Sequence, residues 1–251
     1  MTHIVTGYYG SGKTEFVLNL ATHMCAELRP CFNAEVNSEK SKLGLCPAER
    51  DGVKEECSKE PIVTIADLDV INPYFRSRER ATELAPLGVE IMGSAIENHV
   101  AQDIPALSFA FLSRIRSGQN VIIDLAGGEN GLKLLAGCYD SIKAYEFLCV
   151  LNLYRGETDT AQKMLDFCKQ INAYGRLPIT GVVNNGHMLS YTEPSHVLDS
   201  QKAVQEVAKA LNVPFAYTLA QEDVYSKISK QIYSEKVLTF PKPKMREGWQ
   251  K

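Results

Sequence analysis

No run of about 18 consecutive apolar residues occurs in this sequence, so no segment reads as a membrane-spanning helix. The opening residues, Met1-Thr2-His3-Ile4-Val5, lack the basic and then apolar pattern of a signal peptide, and a cytosolic chain is the expectation. Positive charge is not in excess either. There are 27 Lys and Arg against 30 Asp and Glu, a formal net charge of -3. That balance argues against non-specific nucleic-acid binding. The seven cysteines form no C-x-x-C pair, and no histidine stands at zinc-finger spacing from two of them, which points to reduced thiols. Cys149 sits in an apolar run and belongs in a core. Cys31, Cys46 and Cys57 share one polar stretch, but their spacing matches no standard metal or cluster site. There are no internal repeats and no low-complexity segments.

What remains is an ordinary globular composition, 45% hydrophobic and 23% charged over 251 residues. That length suits one large α/β domain. Residues 1–240 read as that domain, with an inserted polar loop at about 30–60. Residues 241–251 read as a basic, solvated tail. Apolar runs at 3–6, 61–67, 88–92, 120–124, 147–152, 178–184 and 213–217 read as strands. Helical periodicity is found from Phe16 to Met24 and over 75–84, 104–115, 158–171 and 197–211. Near-continuous apolar strands alternating with helices imply an α/β fold of three layers, with a mostly parallel sheet flanked by helices. Ligands of such sheets bind beyond the carboxyl ends of the strands.

One such end carries Gly7-Tyr8-Tyr9-Gly10-Ser11-Gly12-Lys13-Thr14, the pattern G-x-x-x-x-G-K-[ST] between a strand and a helix. Phosphate needs donors that approach closely and a positive point charge. Glycines remove side chains so that backbone N–H groups can wrap a β-phosphate. Lys13 would reach the β- and γ-phosphates, and Thr14 would ligate Mg²⁺ through its hydroxyl. The helix N-terminus adds its dipole. Gly7, Tyr9, Gly10, Ser11, Gly12, Lys13, Thr14 and Glu15 are therefore the candidate nucleotide contacts.

Two further strand ends carry carboxylates. Ile122-Ile123-Asp124-Leu125-Ala126-Gly127 is what a Walker B strand requires, a carboxylate held near the metal's water shell. Asp124 would alternatively cap the following helix. Gly127 or Gly128 would let a backbone N–H face the γ-phosphate. Asp67-Leu68-Asp69 ends another strand, with both carboxylates on one side. One of them would position the attacking water or hold the metal, so Asp69 and Asp124 join Thr14 as candidate metal residues. Lys13, Asp69 and Asp124 are the candidate catalytic set. Arg76 and Arg78, in the segment that follows, are open to two readings: phosphate or partner contacts, or a solvated helix face.

Taken together, Gly7 to Thr14, Asp67 to Asp69, Asp124 to Gly127 and Asn184-Asn185 resemble the MinD/ParA/CobQ/nitrogenase-iron-protein group of SIMIBI-class P-loop ATPases. The resemblance spans roughly residues 3–220. It implies a P-loop NTPase fold, ATP and Mg²⁺ as ligands, and a homodimer or another protein partner. It also implies that Asp69 acts on the attacking water, that Asp124 lies near Mg²⁺ and that Asn185 contacts the adenine. The chain departs from the group at Tyr8, where a signature lysine would reach across the dimer. Cys138 lies too far beyond Asp124 to match the iron protein's cluster ligand, so no cluster is carried over.

A guanine site usually has N-K-x-D after a strand. Here the strand ends Val183-Asn184-Asn185-Gly186-His187, which favours adenine, although Asn184 and Asn185 also suit a turn. The functional expectation is a Mg²⁺-dependent ATPase whose nucleotide state switches partner contacts. The alternatives are an ATP-dependent small-molecule ligase or kinase resembling dethiobiotin synthetase, with a second pocket near Arg76, Arg78, Glu129 and Asn130, or a metal-insertion NTPase using the loop cysteines.

Overall fold

A computed structural model describes residues 1–42, 61–68, 77–93 and 109–245, with residues 30–42 described by their backbone alone. In chain order the elements are β1 (Thr2–Gly7), α1 (Lys13–Lys42), β2 (Val63–Leu68), α2 (Ala81–Leu84), β3 (Val89–Gly93), α3 (Phe109–Arg116), β4 (Val121–Leu125) and α4 (Glu129–Leu135). There follow β5 (Tyr145–Leu151), α5 (Ala161–Tyr174), β6 (Gly181–Asn184), α6 (Pro194–Leu211), β7 (Phe215–Gln221), α7 (Glu222–Ile228) and β8 (Lys236–Phe240). The eight strands form one sheet in the order β3-β2-β4-β1-β5-β6-β7-β8, and every pairing is parallel.

The strands are apolar on both faces because both faces are covered. Ile4, Ile123, Phe147, Cys149 and Val182 point to the layer made by α3, α4, α5 and α6. Val5, Ile65, Ile122, Leu148 and Val183 point to the other layer, where Phe16, Val17 and Leu20 of α1 meet Leu84 of α2. The three-layer α/β architecture is thus the one expected. Each large core side chain buried this way stabilises the fold by about 1.5–3 kcal/mol. Local signals set the helix ends. Thr160 accepts from the Lys163 backbone N–H at the start of α5, and Asn212 closes α6 in the left-handed region at φ 55°. Among the described residues, no helix is long and apolar enough to cross a membrane.

Besides the short helix α7, which was not expected, the structure departs from the expectations at four places. First, α1 runs through Pro30 to Lys42, where a loop was expected from about residue 30. Ala34, Glu35, Glu39 and Lys40 are good helix formers even without an apolar stripe. Residues 43–60 lie outside the described residues, with Cys46 and Cys57 among them. Second, the expected helix at 75–84 is a 3₁₀ turn, Ser77–Arg80, followed by the single turn of α2. Gly88, in the left-handed region at φ 87°, ends that segment after a second 3₁₀ turn containing Pro86. Third, β8 was not expected: it is an edge strand of five residues, too short to stand out from its flanks. Fourth, of the segment expected as a solvated tail, residues 241–245 are described, and Lys244 and Met245 among them dock onto α1.

Candidate nucleotide-binding site

Strand β1 is the central feature of the site. All six of its residues are buried, and it lies between β4 and β5. At its carboxyl end the chain turns over Gly7 to Gly12. The Ser11 N–H donates to the Tyr8 carbonyl at 3.1 Å, and the Phe16 N–H donates to the Gly12 carbonyl at 3.0 Å as α1 begins. Gly10 and Gly12 sit in the left-handed region at φ 70° and 85°, where side chains are strained. A Cβ on Gly7 would collide with the Val150 carbonyl and the Ser11 hydroxyl, and one on Gly12 would collide with the Asn185 amide. Lys13 is 6% exposed, so its ammonium is held inside the loop. Its Nζ donates to the Tyr8 carbonyl at 3.3 Å and lies 5.9 Å from the Tyr9 ring centroid.

Two carboxylates meet beside this loop. Asp67 of β2 is in register with Asp124 of β4, and Asp124 is in turn in register with Val5 of β1. They are 4% and 1% exposed. Residues in register on parallel strands share a face. Val5 belongs to the α1 layer, so Asp67 and Asp124 face the helix that begins with Lys13 and Thr14. Gly128 is the N-cap residue of α4, so Asp124 does not hold that position. Gly128 adopts φ 69° and ψ -151°, a conformation essentially restricted to glycine. Gly127 packs against the loop: its Cβ would lie 3.2 Å from the Gly7 carbonyl and 3.3 Å from the Tyr9 ring. Asp69 and Arg76 lie outside the described residues. Arg78 lies near the end of β3, its Nη1 3.9 Å from where a Gly93 Cβ would be.

On the other side of β1 a cavity of about 150 Å³ opens. Its walls are the loop from Gly10 to Glu15, Arg155, the β6–α6 segment around Asn185 and His187, the end of β7 at Leu219, Ala220 and Gln221, and Phe240, Pro243 and Met245. Asn185 faces it and also donates through Nδ2 to the Ser11 carbonyl at 2.7 Å. Asn184, expected beside it as a base contact, is not in the cavity wall. It is fully buried, donates to the Val197 carbonyl at 3.1 Å and accepts from the Gly186 N–H at 3.2 Å, which fixes the start of α6. Glu129 and Asn130, suggested for a second pocket, stand exposed on α4 outside this wall.

Glu15, expected as a nucleotide contact, lines the cavity and also holds the C-terminal segment. Its two carboxylate oxygens accept the Lys244 and Met245 backbone N–H groups, each at 3.0 Å, and Oε1 also accepts from Asn19 at 2.9 Å. Lys244 Nζ donates to the Thr22 hydroxyl at 2.9 Å, and burial pushes its ammonium below the usual lysine range against the pull of Glu15 and Glu83. The tail thereby becomes part of the cavity wall.

Arg155, on the loop between β5 and α5, escaped the sequence reading because a lone arginine in a polar loop carries no motif. The buried cysteines take no part in the wall. Cys149 and Cys168 lie with Sγ atoms 3.6 Å apart in the core between β5 and α5.

Known proteins resemble this arrangement in three dimensions. FtsY, the cell division protein from Thermotoga maritima, superposes with a TM-score of 0.51 at 16% identity, over 89% of this chain and 63% of that one. The chain has the P-loop NTPase fold. It spans less than two thirds of that FtsY. Other similar structures are the signal recognition particle receptor FtsY from Elizabethkingia anophelis in complex with GDP and a nucleotide-binding protein in complex with ADP from Archaeoglobus fulgidus. The first has a TM-score of 0.42 at 18% identity, over 73% of this chain and 48% of that one. The second has 0.44 at 17%, over 89% and 84%. No family model matches the chain, and no curated protein matches it.

Proposed function

We propose that this P-loop fold binds ATP with Mg²⁺ and hydrolyses it, and that the nucleotide state switches contacts with a protein partner. The observation that carries this reading is the placement of Asp124 and Asp67 on the sheet face covered by α1, beside Lys13 and Thr14 at the head of that helix. Phosphate, ammonium, hydroxyl and carboxylate are the groups that a metal-assisted phosphoryl transfer brings together.

The donor set suits a hard cation: a threonine hydroxyl and buried carboxylates, all oxygen. Thr14 and Asp124 would hold Mg²⁺, with Asp69 as the further candidate, and the ion would supply charge neutralisation at the phosphates. The protein's own groups do the rest. The N–H groups of Gly10 to Thr14 cradle the β-phosphate. Water attacks the γ-phosphorus, the bond to the bridging oxygen breaks, and Lys13 meets the charge that collects there. Asp69 orients the water.

Adenine is favoured by the polar groups in the cavity. Guanine is usually read by a carboxylate that accepts its N–H groups. Glu15 is the carboxylate among the described lining residues, and it is engaged by the tail. Asn185 and Gln221 offer amides, which suit the donor and acceptor edge of adenine.

Of the departures from the MinD/ParA-like pattern, the one at Tyr8 bears on partner contacts. Tyr8 packs at an edge against Tyr9 and Phe167, so the position of the crossing lysine is filled by an aromatic cluster. A second copy of this chain is the first partner to test. The experiment is calorimetry with ATP and GTP, with and without Mg²⁺, alongside phosphate release and mass by light scattering. Tight Mg²⁺-dependent ATP binding and slow release, both lost in Lys13→Ala, are expected. If the wild type binds neither nucleotide, the reading fails. Tight GTP binding with weak ATP binding would overturn the adenine assignment. Transfer of phosphate to an added metabolite would favour the ligase or kinase alternative.

A further inference from the structure

The loop between β5 and α5 is built more carefully than a connection requires. Asn152 and Thr158, at its two ends, are 0% and 1% exposed. The Thr158 hydroxyl donates to the Asn152 carbonyl at 2.7 Å, closing the loop on itself. Asn152 Oδ1 accepts the Tyr154 N–H at 3.0 Å, and the Thr158 N–H donates to the Arg155 carbonyl at 2.8 Å. Asn152 Nδ2 also donates to the His187 carbonyl at 3.3 Å, and the Tyr154 hydroxyl donates to the His196 carbonyl at 3.3 Å. Buried polar groups paired this fully hold one backbone path.

What that path presents is Arg155. A Cβ on Gly10 would lie 3.4 Å from Arg155 Nε and 3.5 Å from Cζ, so the guanidinium rests directly against the phosphate loop. It lines the same cavity as Gly10, Gly12, Lys13 and Thr14. Its side of the loop is also defined. β5 adjoins β1 on the side of β6 and β7, whereas Asp124 and Asp67 lie on the opposite side, on β4 and β2. The carboxylates mark the metal and the γ-phosphate. On the nucleotide reading, Arg155 then lies toward the base end of the ligand, on the side of the cavity lined by Asn185 and Gln221.

We infer that Arg155 is a ground-state anchor for the α,β-diphosphate of a bound nucleotide, a second cation beside Lys13 supplied by this chain itself. The inference rests on the nucleotide reading above and adds a residue and a role to it. A guanidinium suits the task because its planar fork binds two phosphate oxygens at once. The chain lacks the crossing lysine at Tyr8, and Arg155 gives the loop a further positive charge without a partner subunit.

The test is calorimetric titration of full-length wild type, Arg155→Gln and Arg155→Lys with ADP and with ATP, each with Mg²⁺, together with thermal unfolding of the free proteins. Arg155→Gln is expected to weaken ADP and ATP by the same factor, about 10- to 100-fold. KM should rise by that factor and kcat should change little. Arg155→Lys should recover part of the loss, and both variants should unfold near the wild-type temperature because the side chain is only half-buried. Unchanged ADP affinity in Arg155→Gln overturns the inference. So does a loss confined to ATP or to kcat, which would place the residue at the γ-phosphate. If the wild type binds no nucleotide, the nucleotide reading itself fails. If the wild type binds and Arg155→Gln binds equally well, this inference alone fails.

Discussion

Glu15 accepts the Met245 backbone N–H at 3.0 Å, and so ties the C-terminal segment to the residue that directly follows Thr14. The contact joins the head of α1 to the wall of the cavity, since Pro243 and Met245 line it. Removing the carboxylate in Glu15→Ala leaves the Lys244 and Met245 N–H groups to water. Both residues are partly exposed, so the cost falls on docking of the segment and should be about 1 kcal/mol. Trypsin should then cut after Lys244 several-fold faster than in wild type, and bound nucleotide should leave faster. Equal cleavage rates in the two proteins would show that the carboxylate does not hold the segment.

Asp67 and Asp124 face each other across β2 and β4, and both are almost fully buried. A divalent cation bound with the nucleotide would bring its charge to this buried pair. Mg²⁺ with ATP should therefore raise the unfolding temperature more than ATP with chelator does. Asp124→Asn keeps the shape and removes one charge. Phosphate release should fall on the order of 100-fold, while binding of ATP in chelator should survive. If Asp124→Asn hydrolysed ATP at the wild-type rate, Asp124 would have no part in the chemistry.

How much of this was legible beforehand follows from the range of each interaction. The strands at 3–6, 61–67, 120–124 and 147–152 could be read because a strand buried on both faces is an apolar run. The glycine pattern from Gly7 to Thr14 is local, and the structure shows the local reason at Gly12, where a Cβ has no room. The Glu15 to Met245 contact spans 230 residues and leaves no periodic trace in either segment. Arg155 is meaningful only because Asn152 and Thr158 fold the loop back over Gly10, a tertiary arrangement. Composition and spacing do not tell Asn184 from Asn185, and the family resemblance alone singles out Asn185. Strand alternation turns one inward to the start of α6 and the other toward the phosphate loop.

The Gly12 contact makes its own prediction. Gly12→Ala forces a side chain into the left-handed region and into the Asn185 amide. Strain of this kind costs about 1–3 kcal/mol. Nucleotide binding should be lost by calorimetry, and the unfolding temperature should drop. Truncating the obstacle in Gly12→Ala/Asn185→Ala removes the collision but not the strain, so it should recover part of the stability and little of the binding. Full recovery in the double variant would mean that backbone conformation is not the constraint at Gly12.

The buried thiols set the behaviour of the fold in alkali. Burial pushes Cys25 up to about 11 and Cys138 up to about 12 from 9.0. The contact with Cys168, followed by burial, raises Cys149 as well. A thiol raised in the folded state stays protonated there while its unfolded counterpart ionises. The stability it contributes is complete below pH 9 and is lost as the pH climbs through the folded values. Unfolding by urea should thus show a free energy that is flat with respect to these groups up to about pH 9 and falls beyond it. Replacing Cys138 by Ala should flatten that fall while lowering stability at pH 7, because the methyl leaves space in a full core. At pH 8, iodoacetamide should leave Cys25, Cys138, Cys149 and Cys168 unmodified in native protein and label all four in urea, as read by peptide mass. Rapid labelling of Cys149 in the native protein would mean that the β5–α5 core opens, and with it the loop that carries Arg155.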